Sequence, residues 1–495
     1  MTVEVSLISP PSRRTDHYRP PLALMYLAAF LEKNDVSTEI IDIKSNWESC
    51  LEPSDDTVRL IMERLRDSMP RLVGITCYTP EYMEVIALAG TIKEELPDAR
   101  IVVGGVHPTL RPMDFLYSSS PVDFAVRGEG ETTLLDLAES LASGAQPLDL
   151  PGLVTITEDG RPVSGPARPL IDDLDLLPFP SFDKVDMRYY TMPNPYAIRG
   201  VPLSSFYIAY GRGCPYNCTF CVAKHLRKLS GPGRFVRYRS ARSAVDEVQV
   251  LKNEFRIDGF YIIDDTFSAS QKHANDFCEE MIKRDLKLMW ACTTRVSQVT
   301  DELLRKMRRA GCVQVDFGIE SGSEACLERV NKEIDLEQVR RAFDTCRRIG
   351  MRTFANFLVN IPGETEEDLA KTVALLEELG PSVCAINVLT PFIGTDIYDE
   401  SGLDLQVEEY ATLGRSPFEI IQDERFVFAD HNLDIKDFVN ENFMRFNPTV
   451  NFARFLTSKQ YLLQLARSRR KLDYLHMVPD WYREFRKQRT PVGVI

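Results

Sequence analysis

The sequence predicts an α/β protein: a doubly wound parallel-sheet domain, then a partial (β/α)6 barrel, then a mainly helical C-terminal region. Three observations carry this reading. Short β-branched runs alternate with helical patterns in two series, separated by a stretch rich in Pro, Asp and Gly. The second series holds six strand–helix units, too few for the eight of a closed barrel. Beyond it the pattern becomes helical and less regular. The divisions fall at 1–145, 146–200, 201–390 and 391–495.

In the first series "VEVSLIS" reads as a strand and "PLALMYLAAFLEKN" as a helix opening on Pro20 and Pro21. "TEIIDI", "LVGITCYT", "ARIVVGG" and the short "VDFAV" are further strands, followed by the helix "ETTLLDLAESLA". Ligands of such sheets sit at the carboxyl ends of the strands. There the loops are "SPPSRRTDHYRPP", "CYTPEY", "GGVHPT" and "GEGE". "IDDLDLLPFPSFD" reads as an extended connector. The second series places strands near 204–210, 259–263, 288–293, 313–318, 353–359 and 383–389. Helices over 240–254, 271–285, 300–310, 335–349 and 366–379 lie between them.

Composition limits the function. The 495 residues, 44% hydrophobic and 27% charged, have the make-up of a globular protein of two or three domains. A net charge of −14 argues against a dedicated nucleic-acid binder. No apolar run reaches the roughly 18 residues that a membrane span needs. "MTVEVSLISPPSRR" reads as strand and loop instead of a signal peptide, and 11 scattered cysteines suit a reducing compartment. The expected location is the cytoplasm.

"GRGCPYNCTFC" puts Cys214, Cys218 and Cys221 on one short loop after the first strand of the second series, where barrel active sites lie. A structural zinc site takes four protein ligands and a disulfide takes two sulfurs. Three thiolates suit an iron–sulfur cluster with one iron left open. Three unrelated buried cysteines, or a zinc site lacking its fourth ligand, are the alternatives. Cys278, Cys312, Cys326 and Cys346 lie on or beside helices and read as small core residues.

The Cys-x-x-x-Cys-x-x-Cys spacing, with Phe220 before the last cysteine, resembles the radical S-adenosylmethionine (SAM) superfamily over about 200–390. The resemblance implies a 4Fe–4S cluster on Cys214, Cys218 and Cys221 whose fourth iron binds SAM. It implies SAM contacts from Phe220, from Asp264 or Asp265 in "FYIIDDTFS", and from Arg295 in "WACTTR". Glu320 and Ser321 in "VQVDFGIESGS" resemble a further SAM-contacting pair. "NFLVNIPGET" and "NVLTPFIGT" resemble the fifth and sixth strand ends. Taken alone, Arg295 could be a surface cation and either aspartate a helix cap.

The N-terminal half resembles the cobalamin-binding domain that precedes the radical domain in one branch of this superfamily, the branch of class B methyltransferases. "GITCYTPEY", "VVGGVHPTLRP", "DFAVRGEGETTLLDL" and "LPFPSFD" carry that likeness over nearly all of 1–185. It implies cobalamin contacts from Ser9, Pro10, Tyr78, Gly104, Gly105, His107, Thr109, Gly128, Glu129 and Gly130. Glycines there would admit a bulky ligand to the backbone. The Asp-x-His-x-x-Gly signature of many cobalamin proteins is missing: in "TDHYRP" Asp16 and His17 are adjacent. The lower axial ligand is thus unassigned.

The resemblance implies methyl transfer to an unactivated carbon of a small molecule, lipid or natural-product precursor. Two rivals stand beside it: a cyclase or oxidase of the same fold without net methyl transfer, and a non-enzymatic cobalamin sensor. An external donor such as flavodoxin or ferredoxin would supply electrons. The tail from "RFLTSKQYLLQLARSRRKLDYL" to "WYREFRKQR" is basic with interleaved aromatics, which suits peripheral membrane contact or a solvated helix on the barrel mouth.

Overall fold

Val5–Ile8 (β1), Thr38–Ile41 (β2), Leu72–Thr76 (β3), Arg100–Gly104 (β4) and Phe124–Val126 (β5) form a parallel sheet in the order β2-β1-β3-β4-β5. This is a doubly wound order, which reverses direction beside β1 and leaves a crevice at the strands' carboxyl ends. β1, β3 and β5 are almost wholly buried, as strands covered on both faces must be. The computed structural model describes residues 3–10, 19–46, 56–157, 159–447 and 454–476.

The sheet does not stop at β5. Leu153–Ile156 (β6) and Pro162–Ser164 (β7) add two antiparallel strands from the stretch expected to be only a connector. Their signal was the Asp159-Gly160 turn, where Gly160 has φ +79°. Two further connector residues lie against the helix Leu22–Lys33: Ser181 donates its N–H to the Met25 carbonyl at 3.1 Å, and Lys184 pairs with Glu32 at 2.6 Å.

The chain divides into two compact units. The first is Met1–Met187 with Val222–Phe235 and Phe392–Arg415; the second is Arg188–Cys221 with Val236–Pro391 and Ser416–Ile495. In the second unit Ser205–Ile208 (β8) is followed by a small antiparallel ribbon, Gly211–Arg212 (β9) with Arg237–Tyr238 (β10). Gly259–Ile262 (β11), Met289–Thr294 (β12), Cys312–Glu320 (β13), Arg352–Val359 (β14) and Val383–Val388 (β15) then join β8 in one parallel sheet. Its order is β15-β14-β13-β12-β11-β8, with no pairing between β15 and β8. The six-stranded barrel is open, as expected.

The intervening helices start where short polar side chains can cap free N–H groups. Ser240, Ser270, Thr300, Asp335 and Thr365 each accept from the first turn, and Thr365 forms a capping box with Asp368. Cys278, Cys312, Cys326 and Cys346 are fully buried among this packing. No helix of the described residues is long and apolar enough to cross a membrane.

The C-terminal helix Lys459–Arg467 corrects one expectation. It lies at the amino ends of the barrel strands, not at the mouth. Tyr461 donates its hydroxyl to the Pro202 carbonyl at 2.7 Å and joins Ile198, Leu203, Tyr207, Tyr261 and Ala291 in the barrel core. Asp258, one residue before β11, accepts from Ser468 at 2.6 Å, Tyr474 at 2.8 Å and Gln464 at 3.3 Å. The barrel floor is therefore closed by a buried carboxylate gripping the tail. Removing that acceptor leaves three donors without it, at about 1–3 kcal/mol for each buried group left unsatisfied. Asp258→Ala should speed tryptic cleavage within Arg467–Lys471 at least several-fold, while an unchanged digestion pattern would contradict the role.

Candidate active site

The cysteine loop has no strand or helix of its own, so it depends on groups outside it. Asp264, at the end of β11, accepts the Tyr210 N–H at 2.8 Å and that of Gly211 just before the loop. Thr219 donates its N–H to Val330 at 3.1 Å, and Asn331 reaches the Asn217 carbonyl at 3.0 Å. Cys218 is buried, Cys214 and Cys221 are half-buried, and none of the three is in a disulfide. Burial pushes the Cys214 thiol up, with the Tyr216 N–H and, more weakly, Arg295 opposing it.

Arg295, just past β12, is the hub. Its Nη1 lies 3.4 Å from Cys218 Sγ, and its Nη2 donates to the carbonyls of Lys332 and, at 3.2 Å, Glu333. The guanidinium stacks 3.7 Å over Tyr216. Its Nε is buried without a hydrogen-bond partner among the described residues.

Glu320 closes β13 at a register shift and takes φ +70°, a strained conformation for a non-glycine residue. Its Oε1 pairs with Lys332 Nζ at 2.5 Å, both side chains being buried. The pair sits directly over Gly318, where an added Cβ would fall 2.5 Å from Glu320 Oε1 and 2.8 Å from Lys332 Nζ. Lys332 Nζ also stands 5.9 Å over Phe220. Cys218, Arg295, Lys332, Glu320 and Phe220 are thus brought together. Sequence reasoning missed Lys332 and Tyr216: nothing in "VNKE" or "CPYNC" marks them until the fold joins them.

Two expected SAM contacts are turned elsewhere. Ser321 is wholly buried, 3.2 Å from Thr372 Oγ1 and accepting the Ser323 N–H. Asp264 is spent on the backbone; burial pushes its carboxyl up to about 7, and one oxygen has no partner among the described residues. Asp265 is exposed and accepts the Gly213 N–H. Among the described residues no group of three His, Cys, Asp or Glu is arranged for a single metal ion.

In the first unit the carboxyl ends of β3, β4 and β5 carry Tyr78, Gly104–Gly105 and Gly128. Tyr78 is 46% exposed. Nothing lies within 4 Å of a Cβ added at Gly104 or Gly128, so open space faces the backbone there. Thr109 ties two of these loops, donating to Gly105 O at 2.7 Å and accepting Gly128 N–H at 3.1 Å. Ser9 and Pro10 are buried after β1, and Glu129 accepts the Ile171 N–H. Gly130 instead admits Leu27, which lies 3.3 Å from an added Cβ.

His107 corrects a further expectation. It is wholly buried among Tyr82, Phe115 and Tyr410, with Nδ1 3.0 Å from Thr79 Oγ1 and Nε2 3.2 Å from Asp114. No surface remains for a ligand, because an aromatic box has closed over it. Asp16 and His17 lie outside the described residues.

Residues 208–376 match the Radical SAM superfamily and residues 14–138 match the B12 binding domain. An uncharacterized methyltransferase of Pyrococcus horikoshii is 30% identical over 77% of this chain and 78% of its own length. The chain belongs to the cobalamin-dependent radical SAM superfamily. An anaerobic magnesium-protoporphyrin IX monomethyl ester cyclase of Rubrivivax gelatinosus is 31% identical over 79% of this chain and 68% of its own. The radical SAM methyltransferase TsrM of Kitasatospora setae, solved with cobalamin and a [4Fe-4S] cluster, shares the fold. Its TM-score is 0.65, at 23% identity over 81% of this chain and 78% of that one.

The cofactors of this radical SAM enzyme are a 4Fe–4S cluster, SAM and cobalamin, and its side chains fit them. Three cysteines outside any disulfide, with a guanidinium beside one of them, suit thiolate ligation. The unpartnered Arg295 Nε suits a polar ligand. Open glycines at successive strand ends suit a broad planar one.

Breaking the buried Lys332–Glu320 pair should be costly from either side. Lys332→Met strands a buried carboxylate and should cost about 3–5 kcal/mol in urea unfolding, most of it recovered in Lys332→Met/Glu320→Leu. Single and double variants that lose stability additively would show that the two charges do not depend on each other.

Proposed function

We propose that this enzyme transfers a methyl group to an unactivated carbon of a small molecule. The observation that carries the proposal is the joining of Cys218, Arg295 and the Lys332–Glu320 pair at the carboxyl ends of β12 and β13. Cys214, Cys218 and Cys221 hold the cluster, and Arg295 keeps a positive charge against the Cys218 sulfur. Glu320, Phe220 and Asp265 face SAM; Asp264 and Ser321 hold its loops from behind. Tyr78, Gly104, Gly105 and Gly128 receive cobalamin, with Ser9, Pro10, Thr109, Glu129 and Gly130 shaping the loops around it. Bound there, cluster and SAM supply a carbon-centred radical and cobalamin a transferable methyl group.

The chain's own part is positioning and exclusion of water. Burial of Arg295, Lys332 and Glu320 keeps this charged wall dry, which strengthens its field on a bound polar ligand. Residues 1–145 and 201–390 serve as cobalamin and radical domains. Within 391–495, the stretch 426–431 caps the end of β14, where Asn360 holds the Phe426 carbonyl and the Phe428 N–H, each at 2.8 Å. An external flavodoxin or ferredoxin delivers the electron in the cytoplasm. Leu462, Leu463, Leu472 and Leu475, exposed along the basic tail, support peripheral membrane contact.

A second reading, ring closure or oxidation without methyl transfer, is favoured by the 31% identity to the Rubrivivax cyclase. Products separate the two. With SAM carrying a deuterated methyl group, methyl transfer should give a product holding all the label, with 5′-deoxyadenosine and S-adenosylhomocysteine formed in equal amounts. A substrate that loses hydrogen and gains no label, with 5′-deoxyadenosine alone, would establish the second reading in its place.

A further inference from the structure

Barrel interiors are normally filled by branched apolar side chains. Here Gln314 and Asp316, both buried, depart from that rule. Asp316 on β13 is wholly buried, accepting from Tyr261 at 2.9 Å and Gln314 at 2.8 Å. Tyr261 also bonds Thr293 at 2.7 Å. Strand register puts Thr293 beside Asp316, Phe354 beside Asp316, Asn356 beside Gly318 and Asn387 beside Leu358. Alternation along β14 then sets Phe354, Asn356 and Leu358 on the same inward face.

Arg199 enters this space from the segment between Ile198 and Val201, which are themselves core residues. Its Nε lies 3.5 Å from Asp316 Oδ2, and its guanidinium lies 4.3 Å over the Phe354 ring. The side chain is 32% exposed, and neither Nη1 nor Nη2 has a hydrogen-bond partner among the described residues. The Asn356 side chain, half-buried, likewise bonds to none of them. Asn356 neighbours Gly318, over which the Glu320–Lys332 pair sits, so the open amide stands between that pair and Arg199.

We propose that Arg199 and Asn356 form a substrate subsite for a carboxylate. This rests on the reading that the barrel holds a small-molecule substrate. Stacking on Phe354 and the contact at Nε fix the guanidinium plane, and the free Nη edge offers the forked geometry that a carboxylate accepts. Asp316, which also accepts from Tyr261 and Gln314, meets the guanidinium at Nε and so leaves its Nη edge for a second carboxylate. Asn356 offers an amide donor one layer higher, toward the site. A purely hydrocarbon substrate lodged here would strip water from a charged group without replacing it, which is costly. The substrate class is therefore an organic acid, its carboxylate lowest in the barrel and its reacting carbon nearer the cysteine loop.

The test is phenylglyoxal labelling of Arg199 in the reconstituted full-length protein, read by peptide mass spectrometry, with the surface residue Arg340 as internal reference. The probes are phenylacetate and its neutral analogue phenylacetamide. Phenylacetate at about twice its dissociation constant should slow Arg199 labelling about threefold and saturably, leaving Arg340 unchanged. Phenylacetamide should not slow it, and Asn356→Ala should weaken the protection by phenylacetate. Absence of Arg199 labelling, equal slowing by both probes, or slowing that never saturates would overturn the subsite. Protection depends on no turnover, so methyl transfer could fail while the subsite stands, and the subsite could fail while methyl transfer stands.

Discussion

Three thiols must be held in fixed relation by a loop that has no strand or helix of its own, and the rest of the second unit is arranged around that need. The loop is gripped at its entrance by the Asp264 carboxylate, along its length by Val330 and Asn331, and at Cys218 by Arg295. The grips come from the ends of β11 and β12 and from the turn after the helix Glu324–Arg329, so the loop is ordered only once all three are in place. Parallel strands joined by helices provide such convergence, because all their carboxyl ends open on one side.

Convergence has a local cost. Glu320 and Asn360 at strand ends, and Asn331 and Glu333 in the turn after the helix Glu324–Arg329, all take positive φ, a rarely populated region for residues with a Cβ. Arg295, Lys332, Glu320 and Asp264 are charged groups removed from water. Neither feature favours the fold. Both are offset by the apolar barrel floor, where the tail's Tyr461 packs with Tyr207, Tyr261 and Ala291. Stability is concentrated at one end of the barrel and chemistry at the other.

The sequence made the scaffold legible because β-branched runs and caps are local signals. All six barrel strands and the five expected helices between them occur within a few residues of their expected places. The cysteine loop was legible for the same reason, its spacing being local. β6 and β7 were missed because a proline-rich stretch outweighed a two-residue turn. Lys332 and Arg199 gave no signal, since each acquires meaning only from a partner far away in the chain. His107 misled in the opposite sense: a histidine in a glycine-rich loop looked like a cobalamin contact, yet Tyr410, supplied from much later in the chain, helps seal it. Asp264 and Ser321 were placed at the correct strand ends, but which way a side chain turns there depends on neighbours the sequence does not order.

The central claim is that the loop 213–221 holds a four-iron cluster by three cysteines and leaves one iron open. Mössbauer spectroscopy of protein reconstituted with 57Fe tests it most directly, before and after SAM is added. The account predicts a single 4Fe–4S cluster in which SAM shifts the signal of one iron in four, and no cluster in Cys218→Ala. Four irons that all ignore SAM, or a full cluster surviving in Cys218→Ala, would contradict it.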